Sequence, residues 1–477
     1  MKLPVCLLGI VIAAFVAVAC SGSTEPSTSA FTPVNARDSV TQHSGTHRAR
    51  RGLTVDPITK IFVIVQENRS VDNLFNGFHG ANTQSWGKFG STIVQLRKDH
   101  MAVPFDLYHG LNGFQSDTGC PRVLPITGWF CPMNNFTYPA GSGSGGGPCS
   151  GSGSGSGNCD AYAYVGKEYT KPYWAMAEQY VFGDEMFQSQ LDGSYTSHQY
   201  LVAANADSRV NFPHPLQETC KGTSTPVVNW ITNTRTLGSD PTYKSACLNY
   251  DTTIVTELGG KQLDWRYYNA KPTSPSGLPY WDPFFYILSG ATYGYGHDVR
   301  NPCQFLTDIG KSGYTPSVTW ITPSFKDSDH SAGTEEYFGP DWVTAVVNAI
   351  GQSNYWKKSV IFITWDDWGG WYDHVQPQYT GYDGLGMRVP FIMISPYIKP
   401  STGSANIVTH VQYEQASILK YIEDSFGLSS MAEADARAAD PGDETFWQLN
   451  ATPRPFATFS PYPAGYDCSA EGSPDND

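Results

Sequence analysis

Two apolar runs, far apart in the chain, each end in side chains able to do chemistry. Residues 359–365 read Ser-Val-Ile-Phe-Ile-Thr-Trp and lead into Asp366-Asp367, then Gly369-Gly370 and His374. Residues 60–66 read Lys-Ile-Phe-Val-Ile-Val-Gln and lead into Glu67-Asn68-Arg69-Ser70. Glu67, Asp366 and Asp367 with the amide of Asn68 form a set of oxygen donors suited to a hard divalent cation. Beside a hydroxyl and imidazoles, such a set suits phosphoryl transfer. Taken singly, Asn68 or Asp367 would serve equally well as a helix cap.

The elements that must position these residues follow from the same runs. Both are continuously apolar rather than alternating, the pattern of central parallel strands covered on both faces. In open parallel sheets, ligands sit beyond the carboxyl ends of the strands. If the two strands are near neighbours, Glu67, Asn68, Asp366 and Asp367 converge on one edge.

Further segments carry a family resemblance. Glu67-Asn68-Arg69-Ser70-Val71-Asp72-Asn73-Leu74-Phe75 resembles the ENRSFDHxFG signature of bacterial phosphoesterases, which include phosphatidylcholine-type phospholipases C and acid phosphatases. The stretch from Asp366 to Val375 resembles their DExGGfyDHV signature, and Phe105-Asp106-Leu107-Tyr108-His109 their DLxHsW block. Pro316 to Pro323 with His330, Arg388 to Tyr397, and Ser417 to Glu423 are similar to later blocks, in order, from about residue 58 to 427.

The resemblance implies an alkaline-phosphatase-like α/β sandwich, with a mostly parallel sheet and helices on both faces. It also implies that Glu67, Asn68, Asp366 and Asp367 bind one divalent metal ion. An all-oxygen set favours Ca, Mg or Mn over Zn. His109, His330 and His374 are the implied phosphate-side histidines, with His297 a looser match.

The nucleophile falls in the block Gly183-Asp184-Glu185-Met186-Phe187-Gln188-Ser189-Gln190-Leu191-Asp192-Gly193-Ser194-Tyr195-Thr196-Ser197-His198-Gln199-Tyr200-Leu201, where the family's Gly-Pro-Thr core reads Asp-Gly-Ser. Ser194 matches the family's nucleophile position, and Thr196 and Ser189 are the alternatives. The expected reaction has two steps: a seryl or threonyl phosphoenzyme forms while an imidazole protonates the departing oxygen, and water then hydrolyses it.

Residues 1–20 have the shape of a secretory signal. Ala17-Val18-Ala19-Cys20 resembles a bacterial lipobox, so Cys20 is a candidate acylated membrane anchor. Residues 21–56 are polar and read as a tether, 57–430 as the catalytic domain, 141–157 as a Gly/Ser-rich insertion, and 431–477 as a tail packing on the domain. Residues 221–286 show little periodicity and are expected to form an excursion over the sheet's carboxyl edge. In an exported chain, Cys120–Cys131, Cys149–Cys159, Cys220–Cys247 and Cys303–Cys468 are the expected disulfides.

Composition limits the partners. A net charge of -14 argues against nucleic acid, whose phosphates need a basic footprint. Three functions fit. A secreted phosphomonoesterase of the acid-phosphatase type asks for nothing beyond the residues above. A phospholipase C, acting on a lipid phosphodiester, needs a head-group cage that Trp265, Trp281 and Tyr286 could supply. A non-catalytic surface lipoprotein would have no use for a hydroxyl and imidazoles around a metal set.

Overall fold

The computed structural model describes residues 56–120, 130–136, 159–214, 227–231, 237–240, 248, 250, 252–270, 281–287, 299–331, 336–377, 384–401, 406–460 and 467–468. The expected signal, Cys20, the insertion at 141–157, His297, Cys149, Cys220 and Cys247 lie outside these residues, as does the tether apart from Asp56.

The two apolar runs are adjacent strands at the centre of an eight-stranded sheet. Across it the order is Val299–Arg300, Trp265–Tyr268, Val318–Ile321, Lys60–Gln66, Ser359–Trp365, Phe391–Ile394, Val181–Gly183 and Ile407–Thr409. Phe391–Ile394 runs antiparallel to both its neighbours, and every other pairing is parallel. The fold is therefore α/β with a mixed, mostly parallel sheet.

Side-chain alternation along a strand assigns the helices to faces. Phe62 packs on Phe305 of the helix Pro302–Asp308, with ring centroids 6.1 Å apart. Phe362 lies in register with Val63, so it faces the other way, and it packs on Tyr421 of the helix Gln415–Phe426 at 4.9 Å. Trp365 returns to the first face and meets Tyr173 of the helix Lys167–Gln179. Helices thus cover both faces, which is why the central strands carry no alternation in sequence.

Trp265–Tyr268 departs from expectation: it is a strand of the main sheet, not part of a surface excursion. Its short Trp-Arg-Tyr-Tyr run is buried apart from Arg266, and its parallel partner Val318–Ile321 supplies the pairing that local periodicity does not announce. At the other end of the chain, Trp447 stacks on Tyr421 and Phe456 packs on Trp356. The disulfides Cys120–Cys131 and Cys303–Cys468 are formed as the spacing suggested. No helix among the described residues is long and apolar enough to cross a membrane.

Candidate active site

Parallel register does most of the assembly. Gln66 pairs with Trp365, and the Asp366 amide donates to the Gln66 carbonyl at 2.9 Å, so the ladder delivers Glu67 and Asp366 side by side. By alternation both belong to the face covered by the helices Ser194–Ala203 and Gln415–Phe426, while Gln66 turns to the opposite face and bonds Asp327 and Gly339 carbonyls. Asn68 then breaks the strand at φ 59°, and its amide donates to Asp366 Oδ1 at 3.0 Å. The Gly369 amide donates to Asp367 Oδ1 at 2.7 Å. Gly369 holds φ +62°, and a β-carbon there would overlap the Asn68 carbonyl oxygen. Gly369 is thus the condition for the two strand ends to approach.

Ser194 opens the helix Ser194–Ala203, and its hydroxyl donates to Asp367 Oδ2 at 3.0 Å and lies 3.5 Å from Glu67 Oε2. Gly193 caps this helix without a side chain, leaving first-turn amides and the positive end of the helix dipole beside the hydroxyl. The other two candidate hydroxyls are committed elsewhere. Thr196 Oγ1 donates to the Gly193 carbonyl and accepts from Gln190. Ser189 Oγ accepts from the Ala416 amide.

His198 is a site residue that lies within the nucleophile block but to which the motifs assign no role. One helical turn after Ser194, it shares the same helix face, and that i,i+4 spacing is the signal the sequence offers. Its Nε2 lies 3.1 Å from Glu67 Oε1 and 3.8 Å from Asp366 Oδ2.

On the other side of the carboxylates, His109 and His330 meet at Asn68, their rings 5.8 Å apart. His109 Nδ1 donates to the Leu107 carbonyl at 2.6 Å, so a neutral ring presents its Nε2 lone pair to the Asn68 amide nitrogen, 2.6 Å away. His330 Nδ1 likewise faces the Ser331 carbonyl at 2.5 Å. With the Asn68 nitrogen turned to His109, its oxygen sits 2.9 Å from Glu67 Oε2 and 3.2 Å from Asp366 Oδ1. Oxygens this close repel unless a cation lies among them. The opposite orientation, nitrogen toward the carboxylates, instead requires both imidazoles to donate to the amide oxygen.

The donor set therefore fits a divalent cation. Glu67, Asn68, Asp366 and Asp367 are fully buried, and Asp366 Oδ2 has no hydrogen-bond partner among the described residues. Buried carboxylates cost several kcal/mol each unless compensated. Glu67, His198 and Asp366 each offer a ligand atom within 4.8 Å of the others.

His374 is not brought to this cluster. Its Nδ1 bonds Asp72 at 2.6 Å and its Nε2 faces Asn82 Oδ1 at 3.0 Å. The adjacent Asp373 is clamped by Arg388, at 2.9 Å from Nε and 3.1 Å from Nη2. Of the aromatic trio, Trp281 and Tyr286 belong to a cluster with Tyr195 and Phe325, and Trp281 and Phe325 lie 6.2 Å and 5.1 Å from His330, ring to ring. Trp265 instead packs on Phe284 in the main core.

The Phosphoesterase family model matches residues 58–429. Among curated proteins, the chain is 32% identical to non-specific phospholipase C6 of Arabidopsis thaliana over 28% of this chain and 31% of that one. It is 26% identical to phospholipase C B of Mycobacterium tuberculosis over 34% of each. It is 29% identical to the hemolytic phospholipase C of Pseudomonas aeruginosa over 83% of this chain and 58% of that protein. The chain spans about a third of the length of the first two relatives it matches.

Proposed function

Because the chain belongs to the Phosphoesterase family, we propose that it hydrolyses phosphate esters through a covalent ester between Ser194 and phosphorus, with a phospholipase C-type phosphodiester as its substrate. The observation that carries this reading is the Ser194 hydroxyl held 3.0 Å from Asp367 Oδ2 beside Glu67, Asn68 and Asp366.

Ser194 Oγ forms the new bond to phosphorus, and its proton passes to Asp367 Oδ2, where it already points. The bond from phosphorus to the departing oxygen breaks, and that oxygen takes a proton from an imidazolium at His330. The Ser331 carbonyl orients the His330 ring through Nδ1, while His109 Nε2 is engaged by the Asn68 side chain at 2.6 Å. Water then attacks phosphorus, which still carries the head group; the same imidazole accepts its proton, the bond from phosphorus to Ser194 Oγ breaks, and Ser194 recovers the proton held by Asp367. First-turn amides of the helix Ser194–Ala203 offer donors to the non-bridging oxygens. A divalent ion held by Glu67, Asn68, Asp366 and Asp367 would supply Lewis-acid polarisation and a lower hydroxyl pKa.

The substrate reading moves from monoester to diester because Trp281 and Phe325 stand beside His330, on the side where a leaving or head group would lie. Aromatic faces attract quaternary ammonium groups, and the curated relatives named above are phospholipases C. The disulfides Cys120–Cys131 and Cys303–Cys468 support export to an oxidising compartment, with Cys20 as the proposed anchor.

The test is turnover of p-nitrophenylphosphorylcholine beside p-nitrophenyl phosphate, followed by acid quench and peptide mass spectrometry. A phosphorylcholine adduct on Ser194 and preference for the diester are expected. Preference for the monoester overturns the substrate class, and an adduct on Thr196 or Ser189 overturns the nucleophile.

A further inference from the structure

We infer that His198 Nε2 is a nitrogen ligand of the divalent ion, making the centre a mixed nitrogen–oxygen site for a first-row transition ion rather than for Ca or Mg. This rests on the reading that the carboxylate cluster holds a metal.

The tautomer argues for it. Tyr267 is fully buried, and its hydroxyl lies 3.1 Å from the Trp281 carbonyl, which can only accept. The phenol hydrogen is committed there, so the phenol oxygen faces His198 Nδ1, 3.5 Å away, as an acceptor. Thr322 Oγ1, 3.2 Å from the same oxygen, fixes its position further. A proton on Nδ1 leaves the Nε2 lone pair aimed at Glu67 Oε1 and Asp366 Oδ2, at 3.1 Å and 3.8 Å. A lone pair facing carboxylate oxygens is repulsive, and Asp366 Oδ2 finds no hydrogen-bond donor among the described residues. A cation between the three atoms resolves both faults. Separations of about 3–4 Å are also those of neighbouring ligands around one ion with bonds near 2.1 Å. Metal-ligating imidazoles usually donate the other ring N–H to a fixed acceptor, the place the Tyr267 phenol oxygen takes here.

The competing role is a protonated His198 serving as counter-ion to Glu67. The two differ in ion choice, because imidazole favours Zn, Fe, Ni or Cu, whereas an all-oxygen set favours Ca, Mg or Mn.

The experiment uses the full chain loaded with Mn(II) and read by electron spin-echo envelope modulation, with competition by Zn(II) and Ca(II). Nitrogen modulation from one imidazole is expected in wild type and in His109→Gln and His330→Gln. It should be lost in His198→Gln, with the Zn-over-Ca preference falling about 10–100-fold. Mn(II) bound without nitrogen modulation, or modulation that survives His198→Gln, overturns the ligand assignment alone. Failure of Mn(II), Zn(II) and Ca(II) to bind stoichiometrically overturns the metal reading beneath it. Should His198→Gln not fold, wild type labelled with 15N-histidine decides the same question beside the two unaffected histidine variants.

Discussion

Ser194 Oγ and Asp367 Oδ2 lie 3.0 Å apart across 173 residues of sequence. Their meeting depends on parallel pairing of the strands Lys60–Gln66 and Ser359–Trp365, and on a helix that begins at Ser194 itself. Ser194→Ala should therefore lower kcat by at least about 10³-fold with an unchanged thermal midpoint, the scale expected when a nucleophile is removed. Thr196→Ala and Ser189→Ala, whose hydroxyls bond backbone groups, should keep turnover within about tenfold while losing some stability. Steady-state kinetics beside thermal melts decide it, and Ser194→Ala with near-normal kcat would sink the assignment.

Asp366→Asn should weaken binding of the divalent ion by at least about tenfold, with turnover falling in step. Its Oδ1 holds the Asn68 amide and its Oδ2 lacks a hydrogen-bond partner, so the substitution removes charge without leaving a new cavity. Chelator treatment of wild type should abolish turnover, and re-addition of ion should restore it. Titration calorimetry on wild type and variant, alongside chelated enzyme, reads both effects. A variant that binds ion as tightly as wild type contradicts the ligand role.

The sequence made some of this legible and hid the rest for identifiable reasons. The central strands could be read because burial on both faces forces continuous apolar runs, as in Val63, Ile64 and Val65. Their adjacency followed only from the expectation that ligands gather at one carboxyl edge. Trp265–Tyr268 was hidden because four residues carry no period, and its pairing with Val318–Ile321 is non-local. His198 lies in the nucleophile block without a role that the resemblance supplies, and only its place on the helix face of Ser194 marks it. His374 was expected near phosphorus from its motif, yet its ring is engaged by Asp72 and Asn82, a relation that only the tertiary structure defines.

The separation of histidines gives a third expectation. His330→Asn should cost about 10²–10³-fold in kcat with a small change in thermal midpoint, as for loss of a general acid. His374→Asn should show the reverse: kcat within about fivefold and a lower midpoint, because the Asp72 hydrogen bond at 2.6 Å is weakened beside the buried Arg388–Asp373 pair. Equal losses of kcat in the two variants would return His374 to the chemistry.

Gly369→Ala tests the close approach of the strand ends. The added methyl overlaps the Asn68 carbonyl oxygen, and φ +62° is strained for alanine. A destabilisation of about 2–4 kcal/mol is expected, with loss of turnover because Asp367 Oδ1 is held by the Gly369 amide. Denaturant melts and kinetics read the two together. Full activity and stability would mean that the turn tolerates another path.

Asp329, next to His330, supplies a pH dependence of stability. Its Oδ2 accepts from the Tyr173 hydroxyl at 2.8 Å and the Trp365 indole at 3.0 Å, while Oδ1 is buried without a hydrogen-bond partner. Burial pushes this carboxyl up to about 6, against the opposing pull of the Arg69 guanidinium. A raised folded-state value means that the protonated form is the one favoured by folding. Its stabilising contribution is complete below the unfolded value near 4, and it is lost as pH rises through about 6. Asp329→Asn keeps the volume and the acceptor for Tyr173 and Trp365 but does not titrate. The stability of wild type relative to Asp329→Asn should therefore fall by on the order of 2–3 kcal/mol between pH 4 and pH 7, then level off. Urea melts of both proteins across that range measure the difference, and a flat or rising difference would show that Asp329 is ionised throughout.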